Sequence, residues 1–548
     1  LSGINNMRHK HKDQKPEQIW DFGFRPDFVK LANFGFPILS GLLLTAAFPK
    51  IGADWLAWFA LIPLLFALKD CSVKEGLGMG FLAGLAHYLT LLYWLVYTMQ
   101  IYGELPLYLC VPLLFLFAAF LALYAALFSA ALIRVCAAGP HICALMIPIL
   151  WVSLEYIRSF LFSGFPWELL GYSQIRHLYL IQIADICGVY GVSFLIALCN
   201  GVLFLGLLCF GKKEWQGMRV SKHFAGGAAA VFVLAFVFVW GYGKWRVNTV
   251  DKLISESPSL RVAVIQGNID QSEKWDPAFR NSTIKRYNDL SFSVKTLQPD
   301  LLVWPETATP FYFLHNKRRT EMVMNGIFRT GTNFLIGSPS FVRRGKDDEE
   351  YHNSAYLIFP SGEVAGRYDK THLVPFGEYV PFKEWLPFIG KIVEHVGDFT
   401  PGRKGDTLKM GDHRVGVQIC YEIIFPPLSR EMVKNGAGLL ANITNDAWYG
   451  KTAAPYQHFS MIVFRAVENK RSLARSANTG ISGFVDPAGR IMAKTRLFED
   501  AALTRDLPIL KEMTFYTRLG DLFAMGCVML SLLVLSMCLK KDRMSNPM

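Results

Sequence analysis

Charge is what this sequence has little of. Of 548 residues only 18% are Asp, Glu, Lys or Arg, against 52% hydrophobic and a mean hydropathy of +0.27, whereas soluble domains carry about a quarter charged residues. Disorder is excluded, because a disordered chain lacks apolar residues. A single small soluble domain is excluded too: the length accommodates a membrane part together with a sizeable soluble one. There is no CxxC and no His pair at i and i+4, so a catalytic zinc site lacks its ligand set and no metal or organic cofactor is expected. No GxxxxGK[ST] phosphate loop occurs, and Gly480-Ile481-Ser482-Gly483 lacks the GxSxG spacing. The net charge of +12 would suit a nucleic-acid partner, but the basic residues lie largely beside apolar segments, where a membrane orientation signal explains them and no nucleic acid is needed.

Apolar runs do abound. Spans are predicted at Phe36–Phe48, Trp55–Leu68, Leu77–Thr98, Leu107–Leu132, Ile142–Tyr156, Gly188–Phe210 and Phe224–Trp240, with a last one at Leu519–Leu539. The first two are short. This gives a basic N-terminal arm over residues 1–30, a bundle of about seven helices over 31–250, a soluble block over 251–517, and a final helix with a basic tail over 518–548. The six residues ahead of Met7 read as an expression scar and are set aside. Lys69, Lys74, Arg134, Lys212, Lys213, Lys540 and Lys541 fall on one side of the predicted bundle with the basic arm, and the alternate loops are nearly free of Lys and Arg. The positive-inside rule makes that side cytoplasmic and the soluble block extracytoplasmic. One exported loop, Ser163–Gln174 (SGFPWELLGYSQ), reads either as an interfacial turn whose Trp167 and Tyr172 sit in the aromatic belt or as part of a lipid entrance.

Within 251–517 short apolar strands (Leu260–Gln266, Leu301–Trp304, Phe334–Gly337, Ala355–Phe359, Arg414–Ile419, Leu439–Ile443) alternate with helical stretches, which predicts α/β layers with buried strands. Pro426 and Pro427 suit the first turn of a helix through Lys434 that Gly436 stops. Nine of ten Cys lie in or beside the apolar segments, where they serve as small hydrophobes. The tenth, Cys420, stands alone in the soluble block, where an unpaired thiol risks oxidation. It ends a strand just before a helix start, a turn that exposes nucleophiles in other folds and where a helix dipole favours thiolate. Glu422 lies two residues on and, being anionic, suits positioning better than activation. A second strand ends in Trp304-Pro305-Glu306, and a Pro- and Gly-punctuated loop carries Lys370 and Glu378. Taken singly, these are ordinary solvated charges. Together they supply acyl transfer: Glu306 to take the thiol proton, Cys420 to attack a carbonyl, Lys370 to stabilise the oxyanion, and Glu378 to hold the lysine or assist proton transfer. His372, His413 and His458 are read as structural, and Lys470, Arg471 and Arg475 as a solvated helix face.

Glu306, Lys370 and Cys420, in that order and each in its local setting (WPET, YDKTH, QICYE), resemble the triad of the nitrilase, or carbon-nitrogen hydrolase, superfamily. With GFPWELLGYSQ, VIQGNIDQSEKW, VPFGEYVP, NITNDAWYG and RAVENKRSLARSANTGISG, nearly the whole chain is similar to the bacterial apolipoprotein N-acyltransferase family. That resemblance implies a nitrilase-like αββα sandwich inserted before the last of about eight transmembrane helices, in the bacterial inner membrane with the catalytic block in the periplasm. It implies ping-pong transfer of the sn-1 acyl chain of a phospholipid, often phosphatidylethanolamine, through a thioester to the α-amine of a diacylglyceryl-cysteine apolipoprotein. It places base, lysine and nucleophile on Glu306, Lys370 and Cys420, a second carboxylate on Glu378, and further site positions on Trp275, Tyr421 and Glu422. Phe382–Val393, apolar for an exported segment, reads as either a core element or a lid. The alternatives are a membrane-tethered nitrilase-type amidase and a lipid transporter or scaffold carrying an inert block.

Overall fold

The computed structural model describes residues 26–545 except Ala138, 344–348 and 382–398. Five of its helices are long and apolar enough to cross a bilayer: Leu107–Cys136, His141–Arg158, Val189–Phe210, Lys222–Glu256 and Leu522–Lys540. A sixth crossing forms if Val73–Leu91 and Trp94–Ile101 are taken together, bent by 53° where one continuous span was predicted. Five crossings, or six with the bent pair, are thus recognised among the described residues, where about eight spans were predicted. Of the helix Pro26–Ala46 the stretch Phe34–Ala46 is apolar; a second short apolar stretch, Asp54–Ala67, at a rise of about 1.5 Å per residue, falls short of a hydrocarbon core of about 30 Å. The second is itself broken into a turn at Asp54–Trp58 and a helix at Ile62–Ala67. Asn200, fully buried in the bundle, clasps the break: its Oδ1 accepts from Leu61 N at 2.9 Å and its Nδ2 donates to Ala57 O at 2.9 Å. Backbone groups freed within a bundle need such partners.

The 35-residue helix Lys222–Glu256 is about 50 Å long, well beyond a bilayer. Its polar end runs directly into the first strand of the soluble block and is tied there by Arg490 to Asp251 at 2.6 Å. Cys136 and Cys143 form a disulfide, so seven of the nine cysteines in the apolar segments remain free.

Among its described residues the soluble block has twelve strands, β1 Ser259–Gln266, β2 Leu301–Val303, β3 Asn333–Arg343, β4 Glu349–Ile358, β5 Val364–Asp369, β6 Thr407–Met410, β7 His413–Ile419, β8 Leu439–Thr444, β9 Ser472–Ala477, β10 Gly483–Val485, β11 Ile491–Lys494 and β12 Ala501–Pro508. They make two six-stranded sheets, in the orders β12-β1-β2-β3-β4-β5 and β11-β10-β9-β8-β7-β6. Each sheet has three parallel strands at its centre (β1, β2, β3 and β7, β8, β9) and antiparallel flanks. Alternation at period two sorts the side chains of the first sheet. Val262, Val264, Leu301, Val303 and Leu335 face a core shared with Val415, Val417 and Ile419 of the second sheet. Ala263, Ile265, Leu302, Phe334 and Ile336 pack instead on Ile284, Tyr287, Val323 and Ile327 of the covering helices Arg280–Ser293 and Lys317–Thr330. The helix predicted from Pro426 runs to Lys434 as expected. The layering is the nitrilase-like αββα arrangement, standing after the helical membrane region and before the last helix.

The helix Ala454–Asn469, hereafter the junction helix, is buried on every side. It lies between the second sheet and the membrane bundle, and this overturns two expectations. Trp167 and Tyr172 are fully buried rather than in an aromatic belt, because the loop that carries them packs on this helix: Trp167 Nε1 donates to Gln457 Oε1 at 2.9 Å, and Arg465 to Tyr172 Oη at 2.8 Å. Lys470, Arg471 and Arg475 are likewise buried instead of solvated. Lys470 pairs with Asp185 at 3.5 Å and Arg475 with Asp446 at 2.7 Å, while Arg471 donates to the carbonyls of Ala437, Asn469 and Glu512. Buried cations of this kind need such partners.

Candidate active site

The carboxyl ends of the parallel strands converge, as they do on the sites of open α/β sheets. Glu306 follows β2, Lys370 follows β5, and Cys420 follows β7. Gly337 of β3 makes room for the Glu306 turn: a Cβ there would stand 2.7 Å from the Glu306 Cα. All three side chains are buried, with residue exposures of 7% for Glu306, 1% for Lys370 and 7% for Cys420.

Lys370 Nζ lies 2.7 Å from Glu378 Oε2 and 3.8 Å from Glu306 Oε1. Burial disfavours its charge, but the carboxylates of Glu378 and Glu306 outweigh burial and lift its pKa above the ordinary lysine value, so it is an ammonium. Asn353 of β4 bridges the two acids, donating from Nδ2 to Glu306 Oε1 at 2.8 Å and to Glu378 Oε1 at 2.9 Å. Asn445, at the end of β8, donates its N–H to Glu306 Oε2 at 2.9 Å. The Glu306 carboxylate is thus gripped on both oxygens.

Cys420 opens a short 3-10 turn, Cys420–Ile424, with φ +53°, a left-handed conformation rare for a residue bearing a Cβ. Burial pushes its thiol pKa up, Glu306 pushes it further, and Lys370 pulls it down; the net shift is upward. The expectation of a dipole-favoured thiolate is corrected: the resting group is a thiol, because desolvation exceeds the pull of the nearby cation. Ionisation therefore calls for a base.

Glu422 does not continue a strand. The 3-10 turn swings its carboxylate back, where it accepts from Thr371 N at 2.6 Å, His372 N at 3.1 Å, Ile419 N at 2.7 Å and the Tyr368 hydroxyl at 3.0 Å. It binds the Lys370 loop to the Cys420 turn. Burial raises its pKa, and the N–H donors oppose that rise. Glu422→Ala would leave three backbone donors unsatisfied in the interior and is expected to cost about 3 kcal/mol or more, read as a lowered unfolding temperature in detergent together with lost activity. Tyr421 is buried, 5.1 Å from the Phe425 ring. Trp275, by contrast, is 46% exposed, next to Lys274, whose Nζ donates to Glu306 O at 3.1 Å. The region of the proposed lid, Phe382–Val393, lies outside the described residues.

Sequence reasoning missed Asn353, Asn445, Lys274 and the buried trio Asp446, His458 and Arg475. No local signal marked Asn353, which follows Glu-Glu-Tyr-His in the strand EEYHNSAYLI. Lys274 carried none either. Its pKa is pushed down to about 8 by burial, with Glu306 and Cys420 pulling the other way, and only the tertiary contact reveals it.

Comparison with known proteins gives concordant results. Residues 40–202 match the family model described as apolipoprotein N-acyltransferase N-terminal domain, and residues 261–510 match that of carbon-nitrogen hydrolase. The chain is 44% identical over 506 residues to an apolipoprotein N-acyltransferase of Geobacter metallireducens, covering 92% of this chain and 95% of that one. It is 32% identical over 525 residues to that of Chlorobaculum tepidum, covering 90% and 94%. Among solved structures, an amidase from Nesterenkonia sp. is 21% identical, covering 46% of this chain and 91% of that one, with a TM-score of 0.35.

Proposed function

The chain belongs to the apolipoprotein N-acyltransferase family, within the carbon-nitrogen hydrolase superfamily, and from that premise we propose a ping-pong acyl transfer through a Cys420 thioester. It is a multi-pass membrane enzyme whose acceptor class is the lipoprotein. In the first step Glu306 takes the thiol proton and the sulfur attacks the sn-1 ester carbonyl of a phospholipid, with phosphatidylethanolamine the expected donor. The Lys370 ammonium, held by Glu378, balances the oxyanion. The acyl C–O bond then breaks as Glu306 returns the proton to the departing lysophospholipid oxygen. In the second step the α-amine of the diacylglyceryl-cysteine attacks the thioester and gives its proton to Glu306. The C–S bond breaks, and the sulfur recovers the proton.

Glu378, Tyr421 and Glu422 support this machinery, and the half-exposed indole of Trp275 is assigned to substrate binding. The observation that carries the reading is the buried cluster itself: a thiol that burial keeps protonated, within electrostatic reach of a carboxylate that is held near an ammonium.

The reading assigns 31–250 to the membrane bundle, 251–517 to the catalytic block and 518–548 to the last helix and tail, with the block periplasmic. Its side follows from Lys74, Arg134, Lys212 and Lys540, each at or beside an end of an apolar helix and all on one face if the bent pair counts as one crossing. The two short helices come together at the start, so leaving both out of the count preserves the side.

Incubation of the purified protein with phospholipid is expected to add one acyl chain to its intact mass, and a peptide bearing diacylglyceryl-cysteine should discharge it to the peptide amine. Free fatty acid released without an adduct and without need of an amine would replace this reading by hydrolysis.

A further inference from the structure

Two features remain outside this mechanism: the left-handed backbone of Cys420, and the burial of the junction helix beneath the membrane loop Ser163–Gln174. One side chain joins them. His458, on the first half of the junction helix, has its Nε2 3.2 Å from the carbonyl oxygen of Cys420. A carbonyl only accepts, so Nε2 carries the proton and donates. The Cys420 carbonyl has a second donor in Asn442 Nδ2, at 3.4 Å.

The other nitrogen of His458, Nδ1, is 3.0 Å from Asp446 Oδ1 and 3.0 Å from the Arg475 guanidinium, and these two partners are themselves paired at 2.7 Å. The side chains of His458, Asp446 and Arg475 are wholly buried. With the proton on Nε2, Nδ1 accepts from the Arg475 guanidinium, which Asp446 in turn holds. The face of the imidazole is held by the membrane loop: Trp167 stacks on it with ring centroids 5.8 Å apart and 24° between planes. Trp167 is fastened to the residue before His458 through its bond to Gln457. Two residues beyond His458, the Ser460 hydroxyl donates to Glu168 at 3.2 Å. One turn of helix thus touches the nucleophile's backbone on one side and the loop between two membrane helices on the other.

We propose that His458 is a positioning residue that holds Cys420 in its left-handed conformation, and that Trp167 of the membrane loop holds His458, so that the bundle sets the aim of the nucleophile. The proposal rests on the assignment of Cys420 above. It makes the geometry of the sulfur depend on correct seating of the soluble block on the bundle. Strained backbone at a nucleophile persists only where its surroundings over-determine it, and a donor on the carbonyl backed by buried ion pairs is such a constraint.

The test compares acylation rates of the full-length enzyme with phospholipid in detergent, read by intact mass, for His458→Phe, His458→Gln and Trp167→Leu. His458→Phe keeps the ring but loses the donor, and is expected to slow acylation by about 10²-fold with KM for phospholipid unchanged, the scale of a misaimed reacting group. His458→Gln keeps an N–H donor and is expected to recover most of that loss. Trp167→Leu removes the ring that seats the imidazole and is expected to slow acylation by about tenfold on the same reasoning, again without change in KM. It keeps the proposal testable if the His458 variants fail to fold. Wild-type rates in His458→Phe or Trp167→Leu would overturn the proposal, and so would a His458→Gln as inactive as His458→Phe, which would make the ring a proton carrier. Failure of the Cys420 assignment reads differently: an acyl adduct would then survive in Cys420→Ala.

Discussion

Cys420→Ala is expected to form no acyl adduct and to lose N-acylation by at least about 10³-fold, with an unchanged unfolding temperature. The side chain removed is small, and its backbone carbonyl, which accepts from His458 and Asn442, stays in place. What goes is the only group of the cluster able to carry an acyl chain as an activated ester. Removing a covalent nucleophile leaves only what binding and oxyanion stabilisation provide. Cys420→Ser is the sharper variant, because it preserves shape and a hydroxyl proton yet replaces a thiol with a far weaker acid. It should form adduct at less than about 1% of the wild-type rate if thiolate formation governs acylation. The measurement is intact mass after incubation with phospholipid. An adduct on Cys420→Ala would move the nucleophile elsewhere.

Glu306→Gln should lower the acylation rate by about 10²- to 10⁴-fold, the range for loss of a positioned general base, while KM for phospholipid stays near wild type. The amide is isosteric and still accepts from Asn353, but it cannot take the thiol proton. The sign of the pH effect follows from the charges. In the wild type the Glu306 carboxylate is one of the groups that raise the Cys420 pKa, second to burial. Removing it brings the thiol pKa down, so the variant forms thiolate without a base as the medium becomes more alkaline. Burial still holds the thiol of the variant above its ordinary value of about 8.5, so the residual rate of Glu306→Gln should keep climbing with pH through about 9 without levelling off, while the wild type, if Glu306 serves as its base, changes less. A flat profile in the variant would show that thiol ionisation is not the step that Glu306 assists.

The strands legible in the sequence were those buried on both faces by covering layers. Leu260–Gln266, Leu301–Trp304, Arg414–Ile419 and Leu439–Ile443 read as apolar runs because they are β1, β2, β7 and β8, at the centres of the two sheets. The strands not foreseen are mostly at or near sheet edges, such as Thr407–Met410 and Ile491–Lys494, where fewer neighbours demand an apolar pattern. Ser472–Ala477 is the instructive exception. It is central and wholly buried, yet it reads SLARSA, because Arg475 is neutralised by Asp446 and also held by Asn442, residues about thirty positions away. No local pattern announces a buried arginine whose partners arrive by tertiary folding. The same reason hid Asn353 and Asn445, which grip Glu306 from strands that are distant in sequence.

In the membrane region, hydropathy located the long helices, because twenty apolar residues in a row have few other uses. It could not foretell the bend after Leu91 or the clasp of Asn200 on a broken helix, since both depend on which polar groups meet inside the bundle.

Composition and order along the chain were enough to indicate a membrane bundle, an α/β block and one solitary cysteine within it, because periodicity, span length and residue chemistry are local properties. Tertiary structure alone decided that the thiol rests protonated, that Glu422 turns back to brace the lysine loop, and that Trp167 reaches the ring beside Cys420. Those outcomes depend on desolvation and on contacts between segments up to hundreds of residues apart, and such terms exist only once the chain has closed around them.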